Sequence, residues 1–214
     1  MDLLETDPVT GKRTGLARTV RRALKAMRAS GVRFGVIGAT ALAVRGLPRM
    51  SRDLDLVVLL DDADAAIAAL EAGGLRASTP THEEDGAPEA MIVFVDPSTD
   101  VEVDLLVASG DPEATVVAEA LPALVFGEEA PVASLEHLLL LYLYSNQPRH
   151  LGDFAAIVQR GRVDLQRVER TLADMHPEML PELRRRVAQA QSPPPPPPRP
   201  PGRRRPGEPR RPAP

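Results

Sequence analysis

The strongest constraint in this chain is the stretch "SRDLDLVVLL", residues 51 to 60, in which two aspartates open a run of aliphatic residues. Such a run has the length and composition of a buried strand. Alternation then puts Asp53 and Asp55 on one face, about 6.6 Å apart at about 3.3 Å per residue. Carboxylates beside a core strand are costly unless something compensates them. The fold must therefore bring a positive group or a metal to that face.

Composition bounds the rest. From Pro193 to Pro214 the chain reads "PPPPPPRPPGRRRPGEPRRPAP", with no apolar residue larger than Ala213, and cannot bury enough surface to offset its ordering entropy. A body over about residues 14–190 remains. Cysteine is absent, which excludes disulfides and thiolate metal sites. No signal-peptide pattern opens the chain, and the longest apolar run, "LLLLYLY", is too short to span a membrane; a cytoplasmic soluble protein is expected. Charge is segregated: residues 12–52 hold eleven Lys and Arg and no acid, whereas 53–136 hold twenty acids against Arg76 alone.

Periodicity predicts a helix from Leu16 to Met27 ending at Gly31, a strand at 33–38, a short helix at 39–46, a strand at 54–60 and a helix at 61–74. A loop through about Pro88 follows. Residues 91–95 and 101–107 read as a hairpin, and 112–132 as a helix and then a strand near "ALVF". Helices are expected at 135–145, N-capped by Ser134, and at 150–161, 164–175 and 178–190. The fold class is α+β or α/β with a helical C-terminal half. In "VEVDLLV", Glu102 and Asp104 alternate with valines, so Asp104 can complete a cluster of three carboxylates if its strand neighbours the first. Oxygen-only ligands favour Mg²⁺, with cations about 3.5–4 Å apart in two-metal sites. "VIGATAL" supplies a strand–glycine–helix turn at Gly38, suited to a phosphate, with Thr40 as a further hydroxyl. His137 and His150 are expected in packing or surface roles, Tyr142 and Tyr144 in the core. The arginines of the first helix are expected to face solvent or to form a rim attracting RNA or a nucleotide.

Together, "VIGATALAVRGLPRMSRDLDLVV" and the later acid resemble the nucleotidyltransferase-like superfamily, and within it the AbiEii-type toxin nucleotidyltransferases, over about residues 32–160. That resemblance implies a mixed sheet with flanking helices: a catalytic domain at 14–130, a helical segment at 131–190 and a disordered Pro/Arg-rich tail at 191–214. It implies transfer of a nucleoside monophosphate from an NTP to a hydroxyl acceptor (tRNA, protein or small molecule), and an antitoxin protein as partner. Asp53, Asp55 and Asp104 match the metal-binding and catalytic acids, while Gly38, Ala39, Thr40, Arg49 and Ser51 fall on nucleotide-binding positions. Two positions depart from the pattern. Ala39 stands where Ser or Gly is usual, and no lysine follows Lys25, leaving Arg149 as the candidate replacement for a phosphate-neutralising lysine on helix 135–145. The rival expectations are a catalytically degenerate nucleotide- or protein-binding module of the same fold and a metal-dependent phosphatase or nuclease.

Overall fold

A computed structural model describes residues 12–78, 91–108 and 110–192. The Pro/Arg-rich tail and most of the expected loop before Pro88 lie outside them. In chain order the described elements are α1 (Gly15–Ser30), β1 (Phe34–Val36), α2 (Gly38–Val44), β2 (Asp53–Leu59), a 3-10 turn (Leu60–Asp62), α3 (Ala63–Ala72), β3 (Arg76–Ser78), β4 (Met91–Asp96), β5 (Val101–Ala108), α4 (Glu113–Glu119), β6 (Leu121–Val125), β7 (Glu128–Val132), α5 (Leu135–Leu143), α6 (Pro148–Arg160), α7 (Leu165–Met175), a second 3-10 turn (Pro177–Met179) and α8 (Leu180–Gln191). The expected α+β class is what forms: the strands make one seven-stranded mixed sheet, ordered β3-β4-β5-β2-β1-β7-β6. β2 runs parallel to β5 and β1 parallel to β7; the other neighbours are antiparallel. Among the described residues, no helix is long and apolar enough to cross a membrane.

α1 forms because its ends are capped and one stripe is apolar. The Thr14 hydroxyl accepts from the Ala17 N–H at 3.1 Å, and Gly31, at φ 75°, ends the helix with its N–H on the Arg28 carbonyl. Ala17, Val20, Ala23, Leu24 and Met27 are fully buried. Gly15 lies beside Val101, which alternates with Glu102 and Asp104; α1 therefore covers the sheet face opposite the acids.

The basic residues of α1 are largely committed inside the fold. Asp96, fully buried, accepts from Thr19 Oγ1 (2.8 Å), Arg22 Nη1 (2.8 Å), Ser98 N (2.9 Å) and Ser98 Oγ (2.7 Å). Despite burial, these bonds, from Ser98 first, hold its carboxyl below its ordinary value. Glu128 meets Arg21 at 2.6 Å, with Lys25 and Arg28 at 3.7 and 3.9 Å. Arg21 also donates to the Phe126 carbonyl at 2.7 Å in the β6–β7 turn, where Phe126 and Gly127 have φ of 48° and 81°. For Arg21 and Arg22, an ion-paired role replaces the expected solvated face.

Two strands escaped the sequence reading. β3 is only three residues long and lies in the region read as loop, and β7, "EEAPV", carries two acids and a proline. Its Glu128 is buried only because α1 presents three cations to it.

The C-terminal helices are joined by one buried guanidinium. Arg186 of α8, 7% exposed, donates to the Tyr142 and Ser145 carbonyls (3.0 and 2.9 Å), to Asn146 Oδ1 (3.0 Å) and to Glu182 Oε1 (2.6 Å). It thus caps the C-terminal end of α5 from another helix. Arg186→Ala would strand those carbonyls, and it is expected to lower unfolding free energy by about 2–4 kcal/mol, read by urea denaturation.

Candidate active site

β2 and β5 pair in parallel register with Asp53 opposite Glu102 and Asp55 opposite Asp104. Directly opposed residues of neighbouring strands share a face, so four carboxylates stand together on the side away from α1. The same face of β2 continues into Val57, which lies with Val116 of α4 against Gly35 of β1. Helix packing thus closes the far half of the face.

The sheet also delivers Gly38. Ile37 N–H donates to the Asp55 carbonyl at 3.0 Å, extending the β1–β2 pairing to the start of α2. Gly38 has φ 61°, and a Cβ there would overlap Asp55 Oδ2. The Asp55 carboxylate accepts from the Ala39 N–H. Hence the first turn of α2, expected to be an open phosphate cradle, already spends one amide on the protein's own carboxylate. Thr40, the next residue of the same turn, is 7% exposed.

Electrostatics show how far the acids are under-compensated. Burial and then Asp53 push Asp55 up to about 6, against the pull of Arg49, Arg149 and the Ala39 amide. Burial, then Asp55, Asp53 and Glu102, push Asp104 up to about 7, and Arg149 only partly opposes this. Asp104 Oδ1 is buried without a hydrogen-bond partner among the described residues. Asp53 is better provided for, since Ser51 Oγ donates to its Oδ1. Among the described residues, no three acidic or histidine side chains are already drawn into a liganding group. The carboxylates crowd one another without converging, and a cation would relieve that repulsion. On chemistry and crowding, the oxygen-only set fits Mg²⁺.

Arg49 lies at the edge of this cluster. Its Nε donates to Asp153 Oδ2 of α6 at 2.9 Å and its Nη1 to the Met50 carbonyl at 3.2 Å. Arg49 and Ser51, both expected to meet nucleotide, are thus also tied to carboxylates of the protein. Tyr142 was expected simply in the core. It is 4% exposed, and burial, then Asp153 and Asp55, push the phenol up against the pull of nearby Arg49. His150 stacks on Tyr142 with centroids 4.9 Å apart and planes at 22°, and its Nδ1 lies 2.7 Å from Ser145 Oγ. Burial, then Arg149 and Arg49, push His150 down to about 4, so it is neutral near pH 7. His137 serves the fold: it completes the capping box with Ser134, and its Nε2 meets Glu119 at 3.3 Å. The sequence signal for Tyr142, Asp153 and His150 was weak because they come from α5 and α6, far along the chain from both Asp53/Asp55 and Asp104.

No protein-family model matches the chain, and no curated protein matches it. Among solved structures it is similar to ANT(2'')-Ia in complex with adenylyl-2''-tobramycin, at 17% identity over 84% of this chain and 100% of that one, with a TM-score of 0.47. It is also similar to the lincomycin-bound lincosamide antibiotic adenylyltransferase LnuA, at 12% identity over 66% of this chain and 96% of that one, with a TM-score of 0.45. Terminal uridylyl transferase 4 from Trypanosoma brucei with bound GTP matches at 14% identity over 70% of this chain and 51% of that one, with a TM-score of 0.33. With all three TM-scores below 0.5, the functional reading rests on this chain's own residues.

Two outcomes follow from the geometry. Asp55 and Asp104 titrate above the ordinary 3.8 in the folded chain, so folded protein holds protons that unfolded chain has released. Their stabilising contribution is full below 3.8 and is lost progressively as pH rises from there through about 6 for Asp55 and about 7 for Asp104. In metal-free buffer, the stability of the wild type relative to Asp104→Asn should fall across that window in thermal melts. Separately, Gly38→Ala should cost more than the roughly 1–2 kcal/mol of a left-handed alanine, and the excess should vanish in an Asp55→Ala background in a double-mutant cycle.

Proposed function

We propose that the chain is a nucleotidyltransferase, moving a nucleoside monophosphate from a nucleoside triphosphate to a hydroxyl acceptor. The observation that carries this reading is the in-register pairing of Asp53 and Asp55 with Glu102 and Asp104, set against the glycine-started helix at Gly38. Asp53, Asp55 and Asp104 would hold Mg²⁺, which when bound neutralises their repulsion and the charge on the phosphates. Asp104 Oδ1, unpartnered, would accept the proton of the acceptor hydroxyl as the acceptor oxygen bonds to the α-phosphorus. The bond from the α-phosphorus to its bridging oxygen breaks, and pyrophosphate leaves. Arg49, fastened by Asp153, and Arg149 would set the positive field on the phosphate side. Arg149 already acts on Asp55 and Asp104, which supports it as the cation standing in for the missing lysine.

The finer expectations of a toxin role, an antitoxin partner and tRNA as acceptor rest on the sequence resemblance to AbiEii-type proteins. The alternative of an inactive nucleotide- or protein-binding module is favoured by the absence of any lysine after Lys25.

Incubation with each NTP, Mg²⁺ and either tRNA or cell extract should release pyrophosphate and label an acceptor. Asp53→Asn/Asp55→Asn should lower the rate by about two orders of magnitude or more, on the scale of losing preorganised electrostatic groups. Unchanged turnover in that variant would remove the site assignment, and metal-dependent NTP binding without turnover in wild type would select the module.

A further inference from the structure

A cavity of about 430 Å³ lies outside the acidic face, lined in part by Arg45, Leu47, Leu121, Leu135, Arg160 and Arg162. Its lining includes none of Asp53, Asp55, Glu102 and Asp104. Leu47 stands two residues before Arg49, and Arg160 stands seven residues beyond Asp153 on α6, about 10 Å along the helix at roughly 1.5 Å per residue.

The lining has two characters. Arg45 is fixed, donating from Nε to the Ala133 carbonyl at 2.9 Å and from Nη2 to the Val132 carbonyl at 2.6 Å. Arg160 and Arg162 are exposed, and neither has a hydrogen-bond or ion-pair partner among the described residues. Glu136 also lines the cavity: it accepts the Asp164 N–H at 2.9 Å, and despite burial that bond, with Ser134 and Arg167, holds its carboxyl below its ordinary value. The start of α5 does not stand open, since Ser134 Oγ accepts the His137 N–H. Beside the guanidinium groups stand three leucines, of which Leu121, 60% exposed, leaves apolar surface in water at the rim.

We infer that this cavity binds a phosphate monoester carrying an apolar body, with the phosphate on Arg160 and Arg162 and the body against Leu47, Leu121 and Leu135. Guanidinium groups match phosphate oxygens in pairs, and their charge-assisted bonds exceed neutral ones. The leucines gain by losing water to the ligand's apolar part. This binding needs neither metal nor turnover, so it stands or falls apart from the proposed transferase chemistry.

The test is calorimetric titration of the full chain in EDTA with phenyl phosphate and, separately, inorganic phosphate. One saturable site is expected, with phenyl phosphate bound roughly tenfold more tightly. Arg160→Glu/Arg162→Glu should weaken phenyl phosphate at least roughly tenfold, Arg162→Gln alone less, and Leu121→Asp should erase the preference over inorganic phosphate. These positions are exposed, so an unchanged circular dichroism spectrum checks that each variant folds. Asp53→Asn/Asp55→Asn should bind as wild type. No saturable binding, binding indifferent to the arginine substitutions, or binding altered chiefly in the aspartate variant would each overturn the inference.

Discussion

The contact between the Asp55 carboxylate and the first residues of α2 is the interaction on which the rest of the site depends. It places a charged group where no side chain could fit at position 38, and it satisfies that group with the Ala39 amide. The amide alone does not hold the carboxyl in its usual range, because burial and Asp53 act against it. Further compensation comes from Arg49 and Arg149, and Arg49 is aimed by Asp153 of α6. α6 follows α5 closely, and the end of α5 is fastened by Arg186 from α8. A carboxylate on an inner strand in the first half of the chain is thus tied electrostatically to helices near its end.

Part of this was legible in the sequence, and the reason is periodicity. "DLDLVVL" announces a strand with acids on one face, "VEVDLLV" does the same, and Gly38 marks a turn that needs a glycine. Alternation gives the faces but not the partner, so whether Asp104 would stand opposite Asp55 had to come from the sheet register. The helix at 135–145 was read with Ser134 at its cap, and the cap is there. β7 was hidden because "EEAPV" has poor strand chemistry by itself; only the cations of α1 make Glu128 tolerable inside. Ala39 and Thr40, the second and third residues of a seven-residue helix that begins beneath a carboxylate, are 2% and 7% exposed.

The charge segregation seen in the sequence has a structural meaning. Arg21 and Arg22 bind Glu128 and Asp96 across long stretches of chain, with Lys25 and Arg28 also near Glu128, so much of the positive charge of α1 is spent against the acidic block. Electrostatic attraction for an outside anion falls instead to arginines that have no internal acid to face.

The pairing of β2 with β5 also makes the site an indicator of correct folding. A slip of one residue between the strands would turn both carboxylates of one of them toward α1 and leave aliphatic side chains beside the remaining two acids. The charge cost of that arrangement disfavours it before any ligand is present. A molecule with the wrong strand alignment would lose its core and its chemistry together, so assembling the carboxylate cluster and completing the sheet amount to a single cooperative event.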